Sequence, residues 1–145
     1  MPAMSSTRAT TQHMRQRRRT AAGPSERGSA SIQMVLLLPM LFTVMFLGMQ
    51  AALFYHARSV AIAAAQEGAR ASSAEDGSGG AGAAAAASFV AAAGGDEVLK
   101  SARISSSRTT QVATVTVTGT SLSVIPGWSP SVRQSATVPV ERITR

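Results

Sequence analysis

The sequence predicts a membrane-anchored α+β protein, in which one long N-terminal helix is followed by a small antiparallel β domain. Residues 28–57 contain no Asp, Glu, Lys or Arg, and their centre is almost continuously apolar. The chain then continues into residues that favour a helix. From Val98 onward, β-branched residues alternate with other residues, and Gly and Pro separate the runs, which is typical of short strands.

The apolar segment Met34–Tyr55 is long enough to cross a membrane. A helix rises about 1.5 Å per residue, so about 20 residues cross a hydrocarbon core about 30 Å thick. The segment is apolar on every side, whereas a surface helix of a soluble protein has a single apolar stripe. A cleaved signal peptide has a shorter apolar region of about 7–15 residues. We therefore predict an uncleaved anchor.

The charge distribution predicts the orientation of this anchor. Residues 1–28 hold six of the 14 basic residues and one of the seven acidic residues. Basic residues beside an apolar span stay in the cytoplasm, so we expect residues 1–28 to form a disordered, basic cytoplasmic leader. The Arg-rich run at 15–19 also suggests nucleic acid, but no aromatic residues are interleaved with it and no folded module surrounds it. We therefore expect no nucleic-acid partner.

The predicted transmembrane helix covers residues 29–74 and extends beyond the bilayer on the extracytoplasmic side. Small residues recur along it at the spacing that lets another helix approach closely. These candidate helix-packing residues are Gly48, Ala52, Ala57, Ala61, Ala65 and Ala69. A high Ala content alone would produce the same spacing. The sequence leaves both interpretations open.

The remaining chain divides into a linker and a β domain. Residues 75–97 form an Ala/Gly-rich linker, in which Glu75–Gly82 is flexible and Ala83–Ala93 can form a short helix. Residues 98–145 form a small β-rich extracytoplasmic domain. Alternation over 111–118 predicts its main strand, and weaker strands are expected at 101–105, 121–125 and 134–140. Gly119 and Pro126-Gly127 are expected to make turns.

The sequence contains no recognisable catalytic constellation. The chain has no Cys, and His13 and His56 are far apart. A metal site needs several convergent ligands, and no nucleophile or phosphate-binding motif occurs. We therefore expect no enzymatic activity, no metal and no cofactor.

A basic leader, then Arg27-Gly28-Ser29-Ala30-Ser31-Ile32-Gln33, then an apolar helix with an early Pro, resembles the start of type IV pilin-like proteins. The chain is more similar to the TadE/TadG-like pseudopilins of tight-adherence, Flp-type pilus systems. Residues 61–72 (AIAAAQEGARAS) also resemble the juxtamembrane segment of that family.

The resemblance implies a structural component of a Flp-type pilus or a related secretion assembly. Its implied partners are the lipid bilayer, other pilin-like subunits, pilus platform proteins and a prepilin peptidase. The candidate processing site is Gly28, Ser29 and Gln33, with cleavage after Gly28. The family usually has Glu where this chain has Gln33, and an amide cannot neutralise the terminal ammonium of a neighbouring subunit. The alternative function is a generic single-pass, membrane-anchored extracytoplasmic binding module.

Overall fold

The computed structural model describes residues 26–141, with side chains from Ser31 onward. It confirms the α+β class, with a long apolar helix followed by a three-stranded antiparallel sheet. The elements are α1 (Glu26–Ser73), α2 (Gly79–Ala92), a 3-10 turn (Gly95–Glu97), β1 (Leu99–Arg108), β2 (Val112–Ser121) and β3 (Ser131–Pro139). The chain forms two compact units, Met1–Leu37 and Leu38–Arg145.

The first unit contains the described part of α1 up to Leu37. Residues 1–25 of the predicted leader lie outside the described residues. Helix α1 is described from Glu26 and includes Ser29, where the sequence predicted the helix to begin.

The second unit is built on a sheet whose strand order is β1-β2-β3. In the central strand β2, Ala113, Val115 and Val117 are fully buried, while the threonines between them are partly exposed. This alternation matches the predicted strand, because successive side chains of a strand point to opposite faces. The edge strand β3 ends at Pro139, which fits a residue that cannot donate a hydrogen bond to a further strand.

Helix α2 covers nearly all of the short helix predicted at Ala83–Ala93 and also takes in the second half of Glu75–Gly82, which the sequence predicted to be flexible. It begins at Gly79, and the side chain of Ser78 caps it by accepting a hydrogen bond from the amide of Ala81. The connection from α1 is therefore a short turn, and the guanidinium of Arg108 donates hydrogen bonds to the carbonyls of Gly77 and Glu75 in it. Within α2, Gly82 has no room for a side chain, because a Cβ atom there would lie 2.6 Å from the carbonyl oxygen of Gly68 in α1.

Two further predictions for the sheet were wrong. Gly119 makes no turn but lies within β2, opposite Val132 of β3. A Cβ atom at Gly119 would lie 2.7 Å from Cγ of Leu99, so the glycine leaves room for that buried leucine. The separate strand predicted at 121–125 is absent. Strand β2 ends at Ser121, and residues 122–130 form a loop, which we call the β2–β3 loop.

The core of the second unit lies between α1, α2 and the inner face of the sheet. Leu99 is its largest fully buried side chain. The others are mostly small: the buried hydrophobic cluster is Ala57, Ala61, Ala64, Ala65, Ala69, Ala86, Val90, Leu99, Val115, Val117 and Val132. The sheet thus holds α1 through a close-packed surface of small side chains.

Candidate membrane and assembly interface

The apolar part of α1 is exposed along its length. In the first unit, the large hydrophobic side chains between Ile32 and Leu37 are 50–70% exposed. In the second unit, every large hydrophobic side chain from Leu38 to Met49 is at least 43% exposed. Among the described residues, one helical segment, Ser31–Ser73, is long and apolar enough to cross a membrane. A surface this apolar favours contact with lipid over contact with water.

The later part of α1 meets the chain's own core. Four of the six predicted packing residues, Ala57, Ala61, Ala65 and Ala69, are no more than 1% exposed. Their burial is intramolecular, because they belong to one cluster with the valines of β2 and β3. In this structure the four alanines lie in a core shared with this chain's own sheet. These four residues are not free to receive a helix of another subunit.

The contact between α1 and α2 is the closest of these approaches. A Cβ atom at Gly68 would lie 2.6 Å from the carbonyl oxygen of Gly82 and 2.9 Å from Cβ of Ala86. Nearby, the hydroxyl of Ser72 lies 3.2 Å from the carbonyl oxygen of Ser78 and 3.1 Å from the hydroxyl of Ser106 in β1. Helices approach this closely only where both carry small residues.

Gln50 fixes the β2–β3 loop to α1, a role that the sequence analysis missed. Its side chain is 2% exposed. Its amide nitrogen donates to the carbonyl of Leu122 (3.3 Å), and its carbonyl oxygen accepts from the amide of Val124 and the hydroxyl of Ser123, both at 3.0 Å. A Gln within an apolar run could have signalled this, because a buried amide is costly unless it is hydrogen-bonded.

The β2–β3 loop and α1 enclose two apolar grooves. The first has a volume of about 430 Å³ and is lined by Phe42, Thr43, Phe46, Leu47, Val124, Ile125 and Pro126. The second has a volume of about 270 Å³ and is lined by Leu47, Gln50, Ala51, Phe54, Tyr55, Trp128 and Pro130. The loop therefore lies along the apolar part of α1 rather than projecting from the sheet into solvent.

The model of the TadE-like protein family matches residues 28–70, which cover most of α1. This segment is TadE-like. The match supports a protein associated with Flp-type pili, whose TadE-like components are structural proteins rather than enzymes. No curated protein and no solved structure matches the chain. Among the residues that the structure describes, this segment holds the one helix that could span a membrane, which favours a single-pass membrane anchor.

The candidate processing site lies at the start of the TadE-like segment. Gly28 and Ser29 lie within the described part of α1, and Gln33 follows about one turn later with an exposed side chain.

Two predicted packing residues remain outside the core of the second unit. Gly48 and Ala52 are exposed, and no atom lies within 4 Å of where a Cβ of Gly48 would be. They are four residues apart and therefore share one face of α1. On a helical projection this face is about two fifths of a turn from the stripe of Leu47, Gln50 and Phe54 that meets the loop. The TadE-like segment thus keeps one small-residue face that its own sheet does not cover.

Proposed function

We propose that this chain is a TadE-like minor pilin or pseudopilin, a structural subunit of a Flp-type pilus or a related secretion assembly. One observation carries the proposal: within one TadE-like helix, large exposed side chains up to Met49 give way to small buried ones from Ala57. The first part suits lipid and neighbouring helices. The second part suits a rigid attachment to the subunit's own outer domain.

The assembly works by lateral helix packing in the membrane. Gly48 and Ala52 provide the face on which another pilin-like subunit packs, because small residues at this spacing allow backbones to approach closely. Since the core of the second unit ties the sheet to α1, a neighbour that packs on this helix also fixes the direction of the sheet. Its polar outer face then contacts other subunits or platform proteins.

The orientation follows from charge. The leader carries an excess of Arg immediately before a segment without charged residues, which favours a cytoplasmic N-terminus. The sheet then lies outside the cytoplasm. A reporter enzyme that is active only outside the cytoplasm should work when fused after Arg145 and fail when fused before Met34.

The function is tested by purifying the chain from membranes of its own cells. A pilus or secretion subunit should bring down platform proteins and pilin-like subunits, and Gly48→Leu should reduce this recovery while the protein stays in the membrane. Met49→Leu is the matched control, because it changes the neighbouring position without filling the small-residue face. If platform proteins are absent from the wild-type sample, the chain is a generic membrane-anchored binding module instead.

Processing is a separate part of the proposal. A prepilin peptidase cleaves between Gly28 and Ser29, where both residues are small. Gln33 cannot neutralise the terminal ammonium that a neighbouring subunit would then carry, so incorporation into a filament is poor. Gln33→Glu should increase incorporation, measured as the amount of the chain in sheared filaments.

Intact mass of the membrane-extracted protein tests the cleavage directly. A species that retains Met1–Gly28 in cells with an active peptidase would refute it. The protein would then act as an uncleaved membrane accessory.

A further inference from the structure

The β2–β3 loop is uncharged and mostly apolar, and its exposed residues include its one aromatic side chain. Residues 122–130 read LSVIPGWSP and contain no Asp, Glu, Lys or Arg. The side chain of Trp128 is 50% exposed, and Pro126 and Gly127 are also exposed. A loop that faced water would be expected to carry polar and charged residues, so this composition calls for an apolar surrounding.

The position of the loop along α1 sets its depth. A membrane span takes about 20 residues, and the uncharged window of residues 28–57 is 30 residues long. Any span of that length inside the window includes residues 38–47, wherever its boundaries fall. Phe42, Thr43, Phe46 and Leu47 lie within that range and share a groove with Val124, Ile125 and Pro126. The tip of the loop is therefore level with hydrocarbon.

Trp128 lies further along the helix. Its groove is shared with Leu47, Gln50 and Tyr55, so it is closer to the end of the window, where His56 and Arg58 follow. That end is the headgroup boundary, which Trp favours because it combines an apolar ring with a hydrogen-bond donor. The loop thus has its aliphatic tip at the deeper level and its Trp at the shallower level.

Several polar backbone groups of the loop have hydrogen-bond partners within the chain. Non-helical backbone at membrane depth is tolerated only where its polar groups have partners. Gln50 bonds the amide of Val124 and the carbonyl of Leu122, and the hydroxyl of Ser123 accepts from the amide of Ile125. The one hydrogen of that hydroxyl is shared between the side-chain oxygen of Gln50 and the carbonyl of Ile125. The amide of Trp128 donates to that same carbonyl at 3.2 Å, and Pro126 has no amide hydrogen.

From these observations we infer that the β2–β3 loop is a second membrane-contacting element, which enters the outer leaflet beside α1 and is bound there by lipid acyl chains. It rests on the proposed function only in requiring that α1 span a membrane. With two attachments to the bilayer, the sheet has a fixed tilt and rotation at the membrane surface before any partner binds. The consequence for assembly is that the sheet already has this orientation when a partner arrives.

Trp128 reports on the inference directly, because it is the only Trp in the chain. The full chain is reconstituted in phosphatidylcholine–phosphatidylglycerol vesicles, and its fluorescence is measured with acyl-brominated lipids or with aqueous acrylamide. We expect emission shifted to shorter wavelength, strong quenching by the brominated lipids and weak quenching by acrylamide. Ile125→Asp should reverse this pattern, since a charge at the loop tip is costly in hydrocarbon.

The matched control moves the fluorophore to another exposed aromatic position. In Trp128→Phe combined with Phe89→Trp, the probe sits on α2, where Phe89 is 37% exposed. Helix α2 packs on α1 near Gly68, beyond the uncharged window. This probe should be quenched by acrylamide and not by brominated lipids.

Three outcomes would overturn the inference. If the protein floats with vesicles but Trp128 is quenched only by acrylamide, the anchor stands and the loop lies in water. If its emission is shifted but neither agent quenches it, the loop is covered by another copy of the chain rather than by lipid. If the protein does not float with vesicles at all, the membrane anchor of the proposed function fails together with the inference.

Discussion

Two regions of α1 differ in the exposure of their apolar side chains. Between Leu38 and Met49, α1 carries large side chains that are all at least 43% exposed, whereas between Ala57 and Ala69 its inward face carries alanines that are at most 1% exposed. Both regions are uniformly helical and rich in apolar residues. The size of the side chains, rather than their apolar character, therefore distinguishes the surface that meets lipid from the surface that meets protein.

The difference has a physical reason. Inside a membrane, large side chains gain nothing by leaving lipid for protein, so burial there depends on close packing of small residues. Outside the membrane, the hydrophobic effect favours burial, and the small face of α1 lets the sheet and α2 approach its backbone. A helix that crosses the membrane surface can thus contact lipid on one side of it and protein on the other without changing its secondary structure.

The comparison predicts opposite effects for the same substitution at two glycines of α1. Gly68→Ala should destabilise the second unit by about 1–3 kcal/mol, because its Cβ would meet the backbone oxygen of Gly82 at 2.6 Å. Gly48→Ala should stabilise the helix by about 0.5–1 kcal/mol, since no atom is near and Ala favours helices. Thermal unfolding of the full chain in one detergent, followed by circular dichroism, measures both. Equal effects would contradict the division of α1 into two surfaces.

The same contrast between a held and an exposed position applies to the two glutamines of α1. Gln50→Leu removes three hydrogen bonds to the β2–β3 loop, and each such bond contributes about 1 kcal/mol. The amide of Val124 should then exchange its hydrogen faster. Gln33→Leu is the control, since Gln33 is exposed and lies in the first unit. Unchanged exchange at Val124 in the Gln50 variant would show that the loop is held by other contacts.

Elements with strong local periodicity were predictable from the sequence. The alternation of Ala113, Val115 and Val117 identified β2 because a strand repeats every two residues. The length of the apolar run identified α1 in the same way. Neither inference needs knowledge of distant residues. The start of α2 was predicted less accurately, since Ala- and Gly-rich sequence carries little periodicity.

Features that depend on distant partners were not predictable. The alanine spacing indicated that something approaches α1 closely, but not that the partner is the chain's own sheet. The weak strand predicted at 121–125 is rich in β-branched residues, yet Gln50 bonds Leu122 and Val124 from more than 70 positions earlier. Local propensity cannot anticipate such a bond, because tertiary contacts override it.

The smallest predicted effect concerns the outward face of the later part of α1. Glu67 and Arg70 form an exposed ion pair with a distance of 3.8 Å, whereas Ala65, on the inward face, is 1% exposed. Because water and salt screen exposed pairs, Glu67→Gln should change the free energy of unfolding by no more than a few tenths of a kcal/mol. Ala65→Leu should instead destabilise through overpacking. Unfolding midpoints at low and high salt provide the measurement. If Glu67→Gln left the isolated protein intact but reduced recovery of platform proteins, the outward face would be a contact surface in the assembly as well.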